Sequence, residues 1–128
     1  MKLSTYLSVG GMIAILFGAE FLLAPAFALP QYGMPTEPHH LLQARYFGAT
    51  LLTWGLITWL MREVRDDPAL RALLQASAVG HVLGIQISVW AVVAGLQSAM
   101  AWLSVLIYGL LLIGALYYLA SPARRAAG

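Results

Sequence analysis

The sequence predicts an all-α, integral membrane four-helix bundle with both termini cytoplasmic, and three observations lead there. First, of 128 residues 61% are hydrophobic and 9% charged. A soluble domain has about 45–50% apolar and about 25% charged residues, so charge is too scarce here to coat a water-facing surface. Second, four windows, roughly 3–24, 41–61, 72–95 and 100–120, are long and apolar enough to cross a bilayer. Crossing about 30 Å of hydrocarbon takes about 20 mainly apolar residues, and none of these windows alternates as a barrel strand would. Third, the basic residues are asymmetric. Lys2 precedes the first window, Arg62, Arg65 and Arg71 separate the second from the third, and Arg124 and Arg125 follow the fourth. The connections 25–40 and 96–99 hold no Lys or Arg. Basic residues gather on the cytoplasmic side, which assigns the central loop and both termini to it.

Each element carries its own signals. The first window ends in a connection punctuated by Pro25, Pro30, Pro35, Pro38 and Gly33, residues that break regular structure. Ala26, Phe27 and Ala28 have the small-x-small form of a signal cleavage site. The apolar stretch before them is longer than the usual core of about 7–15 residues, so an uncleaved anchor is expected. In the second window Gly48, Ala49, Leu52, Gly55 and Trp59 lie within about 80° of Arg45 at 100° per residue. Gly48 and Gly55 make this a face for close helix packing. The third helix starts at Asp67 as N-cap with Pro68 at its first position. Its Gly80 and Gly84 form a GxxxG, a spacing found at helix contacts. Ser98 caps the fourth helix, and Ser121 with Pro122 ends it. Most Trp and Tyr residues flank the windows as interface belts, but Trp54 and Tyr108 fall nearer mid-membrane.

Much chemistry is excluded. Without cysteine there is no disulfide, thiolate metal site, iron–sulfur cluster or covalent haem attachment. A net charge of +2 with no basic run argues against nucleic-acid binding. No phosphate loop, nucleophile elbow or zinc motif occurs. The chain is too short for the inverted repeats of a typical secondary transporter. No catalytic residue and no metal site are therefore expected, and no cofactor is specified.

The polar residues at membrane depth can be taken one by one. Glu20 and Arg45 lie near the same end of antiparallel helices, so they are expected to form an ion pair facing the bundle interior. A central charge costs about 2.5–3.5 kcal/mol on insertion scales, and pairing lowers that cost. The pair reads first as an interhelical clamp. It also reads as an anchor for a ligand head or proton path, while Arg45 alone could snorkel to headgroups. His81 shares a mildly polar face with Ser77, Gly84 and Ser88, all within about 60° of it. It reads first as a histidine bonded to a neighbouring helix, and otherwise as a haem ligand or proton relay. His39 and His40, beside Glu37, suit a solvated interface. Gln86 lies across the third helix from His81 and suits a neighbouring helix or another subunit.

Three phrases are similar to a family of small bacterial four-helix membrane proteins called DoxX-like. They are Phe21-Leu22-Leu23-Ala24-Pro25, Ala44-Arg45-Tyr46-Phe47-Gly48-Ala49 and Leu51-Leu52-Thr53-Trp54-Gly55-Leu56. The charged 62–71 link and Gly-rich third helix also resemble it. The resemblance implies a multi-pass four-helix protein of the bacterial inner membrane, with no assigned activity.

Three functional expectations follow. The first is a non-enzymatic subunit or scaffold, packing in lipid against other transmembrane helices of its own oligomer or a larger complex. The second is a binder or carrier of a quinone, isoprenoid, lipid or pigment. Glu20 and Arg45 would hold its polar head, with Trp54 and Trp90 as walls. The third is a haem or redox subunit using His81.

Overall fold

The computed structural model describes residues 2–120 and 122. The expectations placed on Ser121, Arg124 and Arg125 lie outside the described residues. The element order is α1 (Leu3–Leu23), α2 (Pro25–Gln31), α3 (Pro38–Leu60), a 3-10 turn (Met61–Glu63), α4 (Asp67–Val93) and α5 (Ala101–Leu119). No strand occurs among the described residues.

Three helices, α1, α4 and α5, are long and apolar enough to cross a membrane. At 23 residues, α3 has the length but is less apolar. Its His39, His40, Gln43, Arg45, Thr50, Thr53 and Thr58 dilute the hydrocarbon character.

The ends of the elements follow local chemistry. Proline at the start of α2, α3 and α4 supplies a preset φ where the backbone N–H lacks a helical partner anyway. The N-cap of α4 is Asp66, with Asp67 as its first residue, one position earlier than expected. The first connection is also more ordered than its prolines suggested. Pro25 opens the short helix α2 rather than breaking the chain, and the turn comes only at Tyr32 and Gly33. Gly95, the last residue of the expected third window, lies just past the end of α4, with φ +71°. The Leu96 amide donates to the Ala91 carbonyl at 2.8 Å and the Gly95 amide to the Val92 carbonyl at 3.0 Å. This is the Schellman stop, whose left-handed residue favours glycine.

The four long helices pack as two pairs. Along the first seam, Gly11 and Gly18 of α1 meet Gly55 and Gly48 of α3. All four glycines are buried. A Cβ on Gly11 would stand 2.9 Å from the Trp59 nitrogen, and one on Gly55 2.7 Å from the Ile15 nitrogen. The two backbones therefore touch, and dispersion contacts between them hold the pair. Both glycine pairs are seven residues apart, the period of a left-handed helix pair.

The second pair is α4 with α5, joined where the Tyr108 ring lies over Gly84; a Cβ there would stand 2.7 Å from the ring. Contacts between the pairs concentrate at their ends. Near the termini, Leu3, Tyr6 and Leu7 pack with Leu70, Leu73, Leu74, Ala115 and Tyr118. The Tyr6 hydroxyl donates to the Leu111 carbonyl at 2.7 Å, and its ring fills the space that Gly114 leaves. At the opposite end, Phe21, Ala28, Leu29, Tyr32, Ala44 and Ala101 form a second core. There the Ser98 amide donates to the Tyr32 carbonyl and the Ser98 hydroxyl to the Gln31 carbonyl, each at 2.8 Å. These bonds tie the two connections together.

Candidate functional site

Between the two end cores the helix pairs stand apart and enclose a cavity of about 690 Å³. Small-molecule sites fall at about 300–1,000 Å³. All four long helices contribute to its wall.

The wall of α4 is a stripe. Ser77, His81, Gly84 and Ser88, placed on one face by their helical spacing, all line the cavity. Opposite them α5 presents Tyr108 and Ser104. The His81 and Tyr108 rings lie 5.9 Å apart and tilted by 37°. The glycine at position 84 lets that tyrosine lie against α4. Trp54, on α3, is a wall residue as expected. Trp90 is not: it is 63% exposed and lies outside the lining. Tyr32 closes the end beneath α2, with its phenol beside Ser104.

The polar groups differ in how they are satisfied. The Ser77 hydroxyl donates to the Leu73 carbonyl and the Thr58 hydroxyl to the Trp54 carbonyl. Among the described residues, the side chains of His81, Ser88 and Tyr108 make no hydrogen bond. His81 was expected to bond to a neighbouring helix. Instead it meets the Tyr108 ring and the open cavity, because its part of α4 is held away from α1 and α3.

Glu20 and Arg45 are placed differently from expectation. Among the described residues the ion pairs are His40–Glu37 at 3.0 Å and Arg62–Glu63 at 2.8 Å, and Glu20 does not pair with Arg45. The cause is rotational. Glu20 follows Gly18 by two residues, about 200° round α1, so it points away from the seam with α3. There it accepts from the Gln31 amide at 3.3 Å. Arg45 sits on the edge of the α3 seam and is exposed. Neither residue lines the cavity.

The four packing glycines also divide. Gly48 and Gly55 pack as expected, onto α1, and Gly84 packs onto α5. Gly80 does not act as a packing glycine within this chain. A Cβ there would meet nothing within 4 Å, because the residue faces the cavity.

The remaining candidates lie apart. The His39 and His40 rings lie 4.0 Å apart and tilted by 41°, and no group of three or more potential metal ligands forms among the described residues. Backbone hydrogen bonding holds the Glu37 carboxyl below its ordinary range; slight desolvation opposes this and the His40 contact reinforces it. Gln86 is exposed on α4, with no hydrogen bond among the described residues.

Sequence reasoning missed Gly11 and Gly18, although the matching seven-residue spacing of Gly48 and Gly55 was available as a signal. It also missed Tyr32 and Ser104 as wall residues. They lie far apart in the chain and meet only through the fold. No family model, curated protein or solved structure matches this chain.

Proposed function

We propose that this chain is a four-span membrane protein, with termini on the cytoplasmic side, that binds or carries a lipophilic small molecule between its helix pairs. The cavity carries the reading. It lies between two packed cores and is bordered by polar groups that lack a hydrogen-bond partner among the described residues. Its opening supports entry from lipid. Every exposed lining residue belongs to α3 or α4, among them Phe47, Thr50, Gly80 and Ile87. These two helices do not pack along one another. A ligand dissolved in the bilayer would reach the cavity sideways, between them. In this reading the chain holds or passes the molecule without chemical change. The polar head meets the His81 region, in place of the Glu20 and Arg45 contacts first expected.

Gly80→Trp tests this directly, because the indole would project into open space without meeting backbone. Protein purified from its own membrane in mild detergent is extracted with organic solvent, and the extract is weighed by mass spectrometry. The expected result is a reproducible small molecule at fixed ratio to wild type, lost from Gly80→Trp of unchanged helicity and size. Identical extracts holding bulk lipid alone would refute the binding reading.

Gln86 favours a second reading, a subunit of an oligomer or larger complex. A side-chain amide facing hydrocarbon gains by bonding to another helix, by about 0.6–2 kcal/mol. In native mass spectrometry, Gln86→Leu should then lower the fraction of assembled copies. Unchanged assembly masses would remove this reading.

A further inference from the structure

We infer that the molecule held in the cavity is an uncharged lipophile whose head carries a hydrogen-bonding oxygen, a hydroxyl or a carbonyl. The inference rests on the binding reading above and narrows it to one chemical class.

Two observations carry it. The first is the lack of formal charge in the wall. Among the described residues, no Lys, Arg, Asp or Glu lines the cavity. Of the charges nearest in sequence, Glu20 lies outside the lining near its Tyr32 end, where it accepts from Gln31, and Arg45 is exposed. A ligand carrying a phosphate, carboxylate or ammonium would leave its charge unpaired in an apolar enclosure, which is strongly unfavourable. The second is the presence of neutral polar groups with unused capacity. Ser88 and Tyr108 hydroxyls both donate and accept, and a neutral imidazole offers one donor and one acceptor. His81 and Tyr108 border one stretch of the wall, where α4 faces α5, and Ser88 lies about two turns further along α4. A hydroxyl or carbonyl placed there gains partners at no charge cost, while the tail lies along the apolar wall. His40, the other lining histidine, is already bonded to Glu37 at the far rim.

The test uses the full chain in phosphatidylcholine nanodiscs. Trp59→Phe, Trp90→Phe and Trp102→Phe leave Trp54, a wall residue, as the one fluorophore of its kind. Brominated eighteen-carbon chains with four heads serve as quenchers: alcohol, methyl ketone, permanently charged sulfonate and permanently charged trimethylammonium. The alcohol and ketone should quench Trp54 saturably, at a mole fraction at least tenfold below either charged chain. Combining His81→Leu with Tyr108→Phe should abolish that preference. Saturable quenching by a charged chain at an equal or lower mole fraction would overturn the neutral-head inference and leave the cavity reading standing. Quenching by all four that rises linearly, as from bulk lipid, would overturn both.

Discussion

Adding one methyl group at Gly18 should separate two helices. The Cβ of Gly18→Ala would stand 2.8 Å from the Leu52 Cα and 2.9 Å from the Gly48 carbonyl oxygen. Both neighbours are backbone, so no side chain can swing aside. Restoring ordinary contact moves the α1 and α3 backbones apart by roughly 0.5–1 Å, and a gap of that size forfeits about a quarter to a half of each dispersion well it opens. Overpacking of this kind costs about 1–3 kcal/mol; at about 2 kcal/mol the folded-to-unfolded ratio falls roughly thirty-fold. Gly80→Ala is the matched control, because its Cβ meets nothing within 4 Å. There the change should be neutral or stabilising, by up to about 1 kcal/mol of helix propensity. Unfolding in mixed micelles with rising dodecyl sulfate, followed by tryptophan emission, measures both variants. If Gly18→Ala unfolds no earlier than Gly80→Ala, the backbone seam is not what holds α1 to α3.

Three further outcomes are expected. A double-mutant cycle of Glu20→Gln and Arg45→Gln should give a coupling below about 0.5 kcal/mol, the range of independent sites, since the two residues do not pair; a coupling above about 1 kcal/mol would contradict the rotational placement of Glu20. Gly95→Ala should cost about 1–2 kcal/mol of backbone strain in the same micelle assay, because φ is +71° while the surrounding space is open; a gain in stability would argue against a left-handed stop. The Glu37 carboxyl should titrate below its ordinary range when followed by carbon NMR, and His40→Leu should raise its midpoint, since His40 reinforces the lowering set mainly by the backbone bond. A folded value below the unfolded one means that the stabilising contribution is full above the ordinary carboxylate range. It is lost as pH falls through the lowered midpoint. A midpoint unmoved by His40→Leu would exclude that contact.

Helix positions were legible because their causes are local. The apolar windows, the proline starts and the face carrying Ser77, His81, Gly84 and Ser88 depend on composition and on a fixed turn of about 100° per residue. The α4 wall of the cavity is therefore written in the order of its residues. The Pro25 signal was equally local but ambiguous, since proline both breaks a helix and opens one.

Pairing was a different matter. Glu20 and Arg45 match in depth and in charge, yet a two-residue offset from Gly18 turns Glu20 to the wrong side of α1. Gly80 and Gly84 form one motif, but one faces empty space and the other an aromatic ring. The cavity itself has no sequence signature. It exists because the α1–α3 and α4–α5 pairs each close on their own glycines, while cores at the two ends hold the pairs at a distance. Sequence alone determined where the four long helices run and which side of α4 is polar, because one turn of backbone decides both. Only the tertiary structure decided which helices touch and where they leave room. That depends on how four surfaces pack at once, and lipid, as apolar as the side chains, gives no hydropathy signal of which face meets which.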